Sequence, residues 1–459
     1  MMHTERRRGG FAPSRRLGQL FGATNRLIVA NASALMGTMI VTSGVGALYW
    51  LLAARLFDTE AVGLAGASIS TMTLLGTAGM LGLGTLLIGE LPRQRGQEVS
   101  FIATALLVAG LTGGLCGAAF AALAPIVSPN VRALAATPLT VALFALGVSL
   151  TSITMVLDQA LIGLLRGGLQ LWRNAAFAVI KLGVLVGIAL WLGDGRWLTI
   201  YWTWIIGNLI SLAGVGAFVA WRWSGLRGHR LRPQWSLLRR FGRSALGHHG
   251  LNMALQLPNL TLPLLVTSLL SATANAYYYA ASIVAGPFFF GTLALVTSLY
   301  AVGSRSPEAL AQRIRFTLGI ALAAGIAGNV ALLVGADLLL RLFGTGYAAQ
   351  AGWALRLLGL CVFPIIIKDH YVTLSRIHGR LLGTAILATA GGGVELGLAA
   401  LGARSAGLPG LVIGWGVALT VEAALMAPAV YRAARAADAT EAADDAPPRG
   451  LTTESTIRN

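Results

Sequence analysis

In a chain with only 11% charged residues, an ionisable side chain inside an apolar run stands out, because charge in hydrocarbon is costly unless it is paired or wetted. The densest such group is Lys368-Asp369-His370, which follows Pro364 and is extended by Tyr371 and Ser375. Lys368 and Asp369 are adjacent, so on a helix they face different directions and each needs its own partner. The trio suits a proton or cation relay, and equally a structural polar network. Asp158, followed by Gln159 and one turn after Thr154, reads as an ion ligand or as a pairing residue near the inner end of its run. Glu395 and Glu422 lie deeper, with few residues of opposite charge nearby in sequence. Each stands as an ion-coupling carboxylate or as a packed acid.

Lys181, read as close to the cytoplasmic end of its run, offers a point charge to a phosphate or simply reaches back to the interface. Arg356, near the outer end of its run, poses the same choice. A different pattern appears at Asn252, Gln256 and Asn259, which recur at i, i+4 and i+7 and so share one helix face, with His248 one turn earlier. Pro258 and Pro263 allow that helix to bend. Such a stripe suits a wet cavity that binds sugar hydroxyls, or hydrogen bonds between helices. Arg26, beside Asn25, opens the first apolar run as an interfacial or cavity charge.

Other chemistries find no support. Gly79 to Gly84 is glycine-rich, but no strand precedes it, so it is not a dinucleotide loop. The turn Leu342 to Gly346 lacks the Lys-Ser/Thr ending of a nucleotide-binding loop. His248 and His249 have no third ligand in register, and Cys116 and Cys361 lie in apolar runs, so no metal site is expected. The formal net charge of +17 comes from arginines in short gaps between apolar runs, not from an aromatic-interleaved patch, which argues against nucleic acid.

The elements that position these residues are long apolar runs. A spanning helix needs about 20 such residues, and the sequence predicts twelve spans, at 27–52, 62–88, 100–124, 138–164, 174–192, 198–221, 245–269, 277–302, 317–340, 352–375, 382–402 and 408–430. The first run is too long for a signal peptide. With the N-terminus inside, the outer side keeps only Arg55, Arg132, Arg196, Arg341 and Arg404, while Arg222, Arg227, Arg230, Arg232, Arg239, Arg240 and Arg243 crowd one inner linker. That bias is the positive-inside rule, and it places both termini in the cytoplasm. The expected organisation is all-α and polytopic. It has a basic tail (1–26), a six-helix lobe (27–221), a linker (222–244), a second six-helix lobe (245–430) and a tail too polar to fold (431–459). Tyr277 to Tyr279, and Trp197 with Tyr201, Trp202 and Trp204, read as aromatic belts.

Three stretches carry a resemblance. Ala53–Arg93 has an arginine at a helix end, an acidic turn and a glycine-interrupted helix; Ser268–Arg305 has tyrosines after a very short outer turn; Arg341–Arg380 has a Leu-Phe-Gly turn, a tyrosine and a closing Gly-Arg. In these the chain resembles the polysaccharide transporter or oligosaccharide flippase family, in the superfamily that also holds multidrug (MATE) exporters. It departs from that family in its near absence of lysine and its arginine-rich linker. The resemblance implies two lobes around a central cavity, alternating access, and flipping of a lipid-linked oligosaccharide across a bacterial inner membrane. It implies membrane lipids, an envelope polysaccharide polymerase and glycosyltransferases as partners, no cofactor, and H+ or Na+ as coupling ion. The competing expectation is a cation-coupled multidrug antiporter. A membrane enzyme would need a long outer loop, and every outer loop is short.

Overall fold

A computed structural model describes residues 44–91, 97–164, 166–191, 196–222, 235–303 and 310–444. Every regular element among them is helical, as hydrocarbon demands of a chain that must satisfy its own backbone. In order they are α1 (Gly44–Leu56), α2 (Thr59–Gly79), α3 (Leu83–Glu90), α4 (Glu98–Val127), α5 (Pro138–Gly163), α6 (Gly167–Trp191) and α7 (Trp197–Arg222). There follow α8 (Trp235–Leu269), α9 (Ala272–Gly303), α10 (Leu310–Arg341), α11 (Thr345–Leu360), α12 (Val362–Ile377) and α13 (Leu381–Asp444). Among the described residues nine helical segments are long and apolar enough to cross a membrane, and α11 with α12 forms one of them.

Three spans are broken where the sequence weakens them. α2 and α3 part at Leu81 and Gly82, whose φ values are 48° and 75°. Glycine takes that conformation freely, whereas leucine is strained by it. α11 and α12 meet at Cys361, because Pro364 has no N–H to offer the Leu360 carbonyl. α13 is two legs about a kink at Ala406 (φ −141°) and Gly407 (φ 64°).

Four expectations are corrected. The fifth span begins at Gly167 rather than 174, because Arg173 is neutralised inside the fold and need not sit in a loop. Helix α8 begins at Trp235, so the linker is shorter than expected. Helical backbone continues to Asp444, through an alanine-rich stretch of high helix propensity, where a structureless tail from 431 was expected. The aromatic groups are packing residues more than belts. Tyr278 and Tyr201 are buried, Tyr201 donates to the Phe144 carbonyl at 3.1 Å, and Tyr279 packs edge-on against Trp50 with ring centroids 4.7 Å apart.

One apolar core runs through both halves of the chain, from Tyr49 and Phe144 to Leu355 and Trp415. The halves are also tied at the end that carries the short loops. Arg55 donates to the carbonyls of Arg341 (2.7 Å) and Leu342 (2.8 Å). Ser128 donates to the Ser268 carbonyl at 2.8 Å, and Asn130 to the Thr267 carbonyl at 3.0 Å. From the other half, Asn275 donates to the Gly63 carbonyl at 2.7 Å. There α2 and α9 touch so closely that a Cβ on Gly63 would lie 1.7 Å from the Ala272 carbonyl oxygen.

Candidate functional site

The most concentrated buried charge lies in the second half. Lys368 projects from α12 between the two legs of α13 and meets Glu395 on the first and Glu422 on the second. The Glu395 contact is a charge-assisted hydrogen bond. Oε2 of Glu422 is 2.7 Å from the ammonium as an ion pair, out of line for a hydrogen bond. Trp415 donates its indole N–H to the other Glu395 oxygen at 2.7 Å. Glu395 is 2% exposed and Lys368 12%. The Glu422 carboxyl fits because residue 391 is glycine; a Cβ there would lie 2.6 Å from it. The two glutamates, expected to be isolated, therefore share one lysine. Among the described residues, two carboxylates face one ammonium, an excess of one negative charge that a proton or a cation can meet. An unmet charge at the bilayer centre costs about 2.5–3.5 kcal/mol or more.

The first half holds two further buried cations. Arg173 on α6 forks onto Asp158 on α5, with Nε to Oδ1 at 3.0 Å and Nη2 to Oδ2 at 2.8 Å. Asn174 donates to the same carboxylate at 3.3 Å. This pair is balanced, so Asp158 is a structural partner and not a free ion ligand. The predicted span 174–192 leaves Arg173 just outside it; extending the helical register seven residues back brings it in.

Lys181 is different. It lies fourteen residues into α6, roughly 21 Å along the helix at about 1.5 Å per residue, which is too deep to reach the interface as the sequence reading allowed. It is 6% exposed. Its ammonium sits 4.0 Å from the Trp204 ring centroid and 4.8 Å from those of Tyr49 and Phe177. Each such contact is worth about 0.5–2 kcal/mol, a partial substitute for lost hydration. No carboxylate pairs with it among the described residues.

The remaining candidates are dispersed. Asn252, Gln256 and Asn259 are all exposed along one face of α8, between buried Leu251, Ala254 and Pro258. Hydrocarbon would penalise that face, which argues for a wet one. Asn252 accepts from Arg376 at 3.3 Å. Asp369 is partly buried and makes no ion pair among the described residues. His370 is fully buried, bonded to Thr317 on α10 at 3.1 Å and to the Ile366 carbonyl at 2.7 Å, which makes it a helix-to-helix tie. Arg356 pairs with half-exposed Asp337 at 3.0 Å and donates to the Leu333 carbonyl, away from the other candidates. Arg26 and the side chain of His248 lie outside the described residues. Among the described residues no group of three His, Cys, Asp or Glu is placed to hold a metal ion.

A family model described as polysaccharide biosynthesis protein matches residues 28–305. Comparison with curated proteins finds no match. Among solved structures, the chain is similar to an inward-facing multidrug resistance MATE family transporter of the MOP superfamily, with a TM-score of 0.66 and 15% identity over 91% of this chain and 99% of the other. It is similar to an outward-facing structure described in the same terms, with a TM-score of 0.61 and 16% identity over 90% and 96%. A third, MATE in the straight conformation, gives a TM-score of 0.60 and 14% identity over 91% and 97%.

Proposed function

Since the chain belongs to the polysaccharide biosynthesis protein family and shares the MATE fold, we propose that it is a cation-coupled transporter that moves its cargo by alternating access. In this reading its helices form twelve spans in two six-helix lobes, with both termini on the cytoplasmic side of the inner membrane. The observation that carries it is the Lys368–Glu395–Glu422 site, where two buried carboxylates share one ammonium among the described residues. A monovalent cation bound there neutralises the site, and its release leaves a charge that opposes re-entry into a dry environment. The site thus has a cation-dependent free energy of the kind coupling requires. The chain acts by binding and moving, with no chemical step.

The cargo separates two versions of this reading. The solved relatives are multidrug transporters, which supports a small-molecule antiporter. The family description supports a saccharide precursor, and the exposed Asn252–Gln256–Asn259 face offers donors and acceptors for sugar hydroxyls. Proteoliposomes under a proton or Na+ gradient decide between them. A cationic dye should move if the first version holds, and a labelled lipid-linked oligosaccharide if the second does. Either movement should collapse at least tenfold in Glu422→Gln. Movement of neither, or gradient-driven movement unaffected by that change, refutes the proposal.

A further inference from the structure

The outward face of α13 changes character along its second leg. Val417, Val421 and Leu425 are exposed there, and Tyr431, Arg432 and Arg435 are exposed beyond them. Val417 and Arg435 lie eighteen positions apart, which is a whole number of turns at about 3.6 residues each, so they point the same way. An apolar stripe therefore runs straight into a tyrosine and two arginines. Arg432 donates through Nε to the Pro428 carbonyl at 3.2 Å. Arg435 lies over the Tyr431 ring, with its Cζ 4.5 Å from the centroid. Both partners are neutral, and a guanidinium has more donors than either contact uses. A third arginine reaches the same end from the neighbouring helix: exposed Arg315 on α10 donates to the Ala434 carbonyl at 3.0 Å. Beneath them Leu299, Ile314, Leu374 and Val430 pack α9, α10, α12 and α13 together, so the backbone that carries the charges is fixed. Asp438 follows Arg435 by three residues in sequence, and ion pairs at that spacing in water are weak.

We propose that this face is a docking surface for an anionic phospholipid of the adjoining leaflet. Its acyl chains lie along Val417, Val421 and Leu425, its phosphate meets Arg432 and Arg435, and Tyr431 sits at the boundary between them. From Val421 to Arg432 is roughly 16 Å at about 1.5 Å per residue. Half of a hydrocarbon core about 30 Å thick is nearly the same length, so stripe and charges match the chains and head of one lipid. Charge selects the lipid: a zwitterionic head brings a cation of its own to the arginines, and an anionic head does not. Because Arg315 belongs to α10, a head held here also joins α10 to α13. The surface is separate from the Lys368 site and from the Asn252–Gln256–Asn259 face, so it goes beyond the transport reading and concerns the lipid around the protein rather than the cargo.

The test is lipid titration of full-length protein in neutral detergent, read by native mass spectrometry and by thermal unfolding. The probes are dioleoyl phosphatidylglycerol, dioleoyl phosphatidylcholine and the soluble headgroup glycerol 3-phosphate. The wild-type chain should hold phosphatidylglycerol at least fivefold more tightly than phosphatidylcholine and gain Tm from it. Arg432→Gln with Arg435→Gln should abolish most of that preference. Arg404→Gln, an exposed arginine elsewhere on α13, should keep it. Equal affinity for the two lipids overturns the proposal, as does a preference that survives the double variant. If Arg404→Gln costs as much, the attraction is general rather than local, and the proposal also falls. Glycerol 3-phosphate binding as tightly as the lipid would mark a free-anion site instead. Should the double variant not fold, Arg435→Gln alone should narrow the preference at least twofold, and no change in it counts against the surface.

Discussion

Arg173 grips Asp158 with two parallel hydrogen bonds, at 3.0 and 2.8 Å, and so staples α6 to α5 where the guanidinium is only 4% exposed. A lysine cannot reproduce that planar fork. Arg173→Ala strands a carboxylate, for which about 3–5 kcal/mol is typical. Thermal unfolding in detergent should show a large drop in Tm for Arg173→Ala and an intermediate one for Arg173→Lys. The double variant Asp158→Asn with Arg173→Met should recover part of the loss. A double variant no more stable than Arg173→Ala would mean that the pair is not the source of the effect.

Lys368 holds apart two carboxylates that would otherwise repel. Lys368→Met should be the most destabilising single change in the second half, again on the order of 3–5 kcal/mol. Adding Glu422→Gln to it should raise Tm, because one of the two uncompensated acids is removed. Equal Tm for the single and double variants would contradict the shared site.

The apolar runs placed nearly every helix, because a membrane enforces length and composition. The edges failed where polar residues lie inside a helix: seven residues at the start of α6 were read as loop because Arg173 is charged, and that misplaced Lys181 near the interface. Partnerships were not legible. Lys368 is 27 residues from Glu395 and 54 from Glu422, so only the folding back of α13 onto α12 unites them. The cage around Lys181 draws Trp204 from the next helix but Tyr49 from the far end of the half. By contrast, the Asn252–Gln256–Asn259 face was legible, since local periodicity alone sets it.

Gly63 is a contact that no side chain can enter. Gly63→Val should pry α2 from α9 at the end where the halves are tied. In a background with Cys116 replaced by alanine, Ser271→Cys should react faster with a membrane-impermeant maleimide when Gly63→Val is present. Arg55→Ala should give a smaller increase in the same assay. Identical labelling rates would show that this contact does not control opening.

Leu81 holds a φ of 48°, an unfavourable value for a non-glycine residue. Leu81→Gly should relieve that strain and stabilise the protein by up to about 1 kcal/mol; Leu81→Val should destabilise it, because a β-branched side chain tolerates the conformation less well. A higher Tm for valine than for glycine would remove the strain argument.

The ties between the halves have a consequence for the medium that faces them. Arg55, Ser128, Asn130 and Asn275 all donate to peptide oxygens, so no carboxylate or histidine takes part in these bonds. A peptide oxygen does not titrate, and dissolved ions weaken its bonds far less than they weaken an exposed ion pair. Closure at that end is therefore indifferent to acid and brine, and the receiving positions other than Gly63 can exchange side chains while the lock keeps its fit.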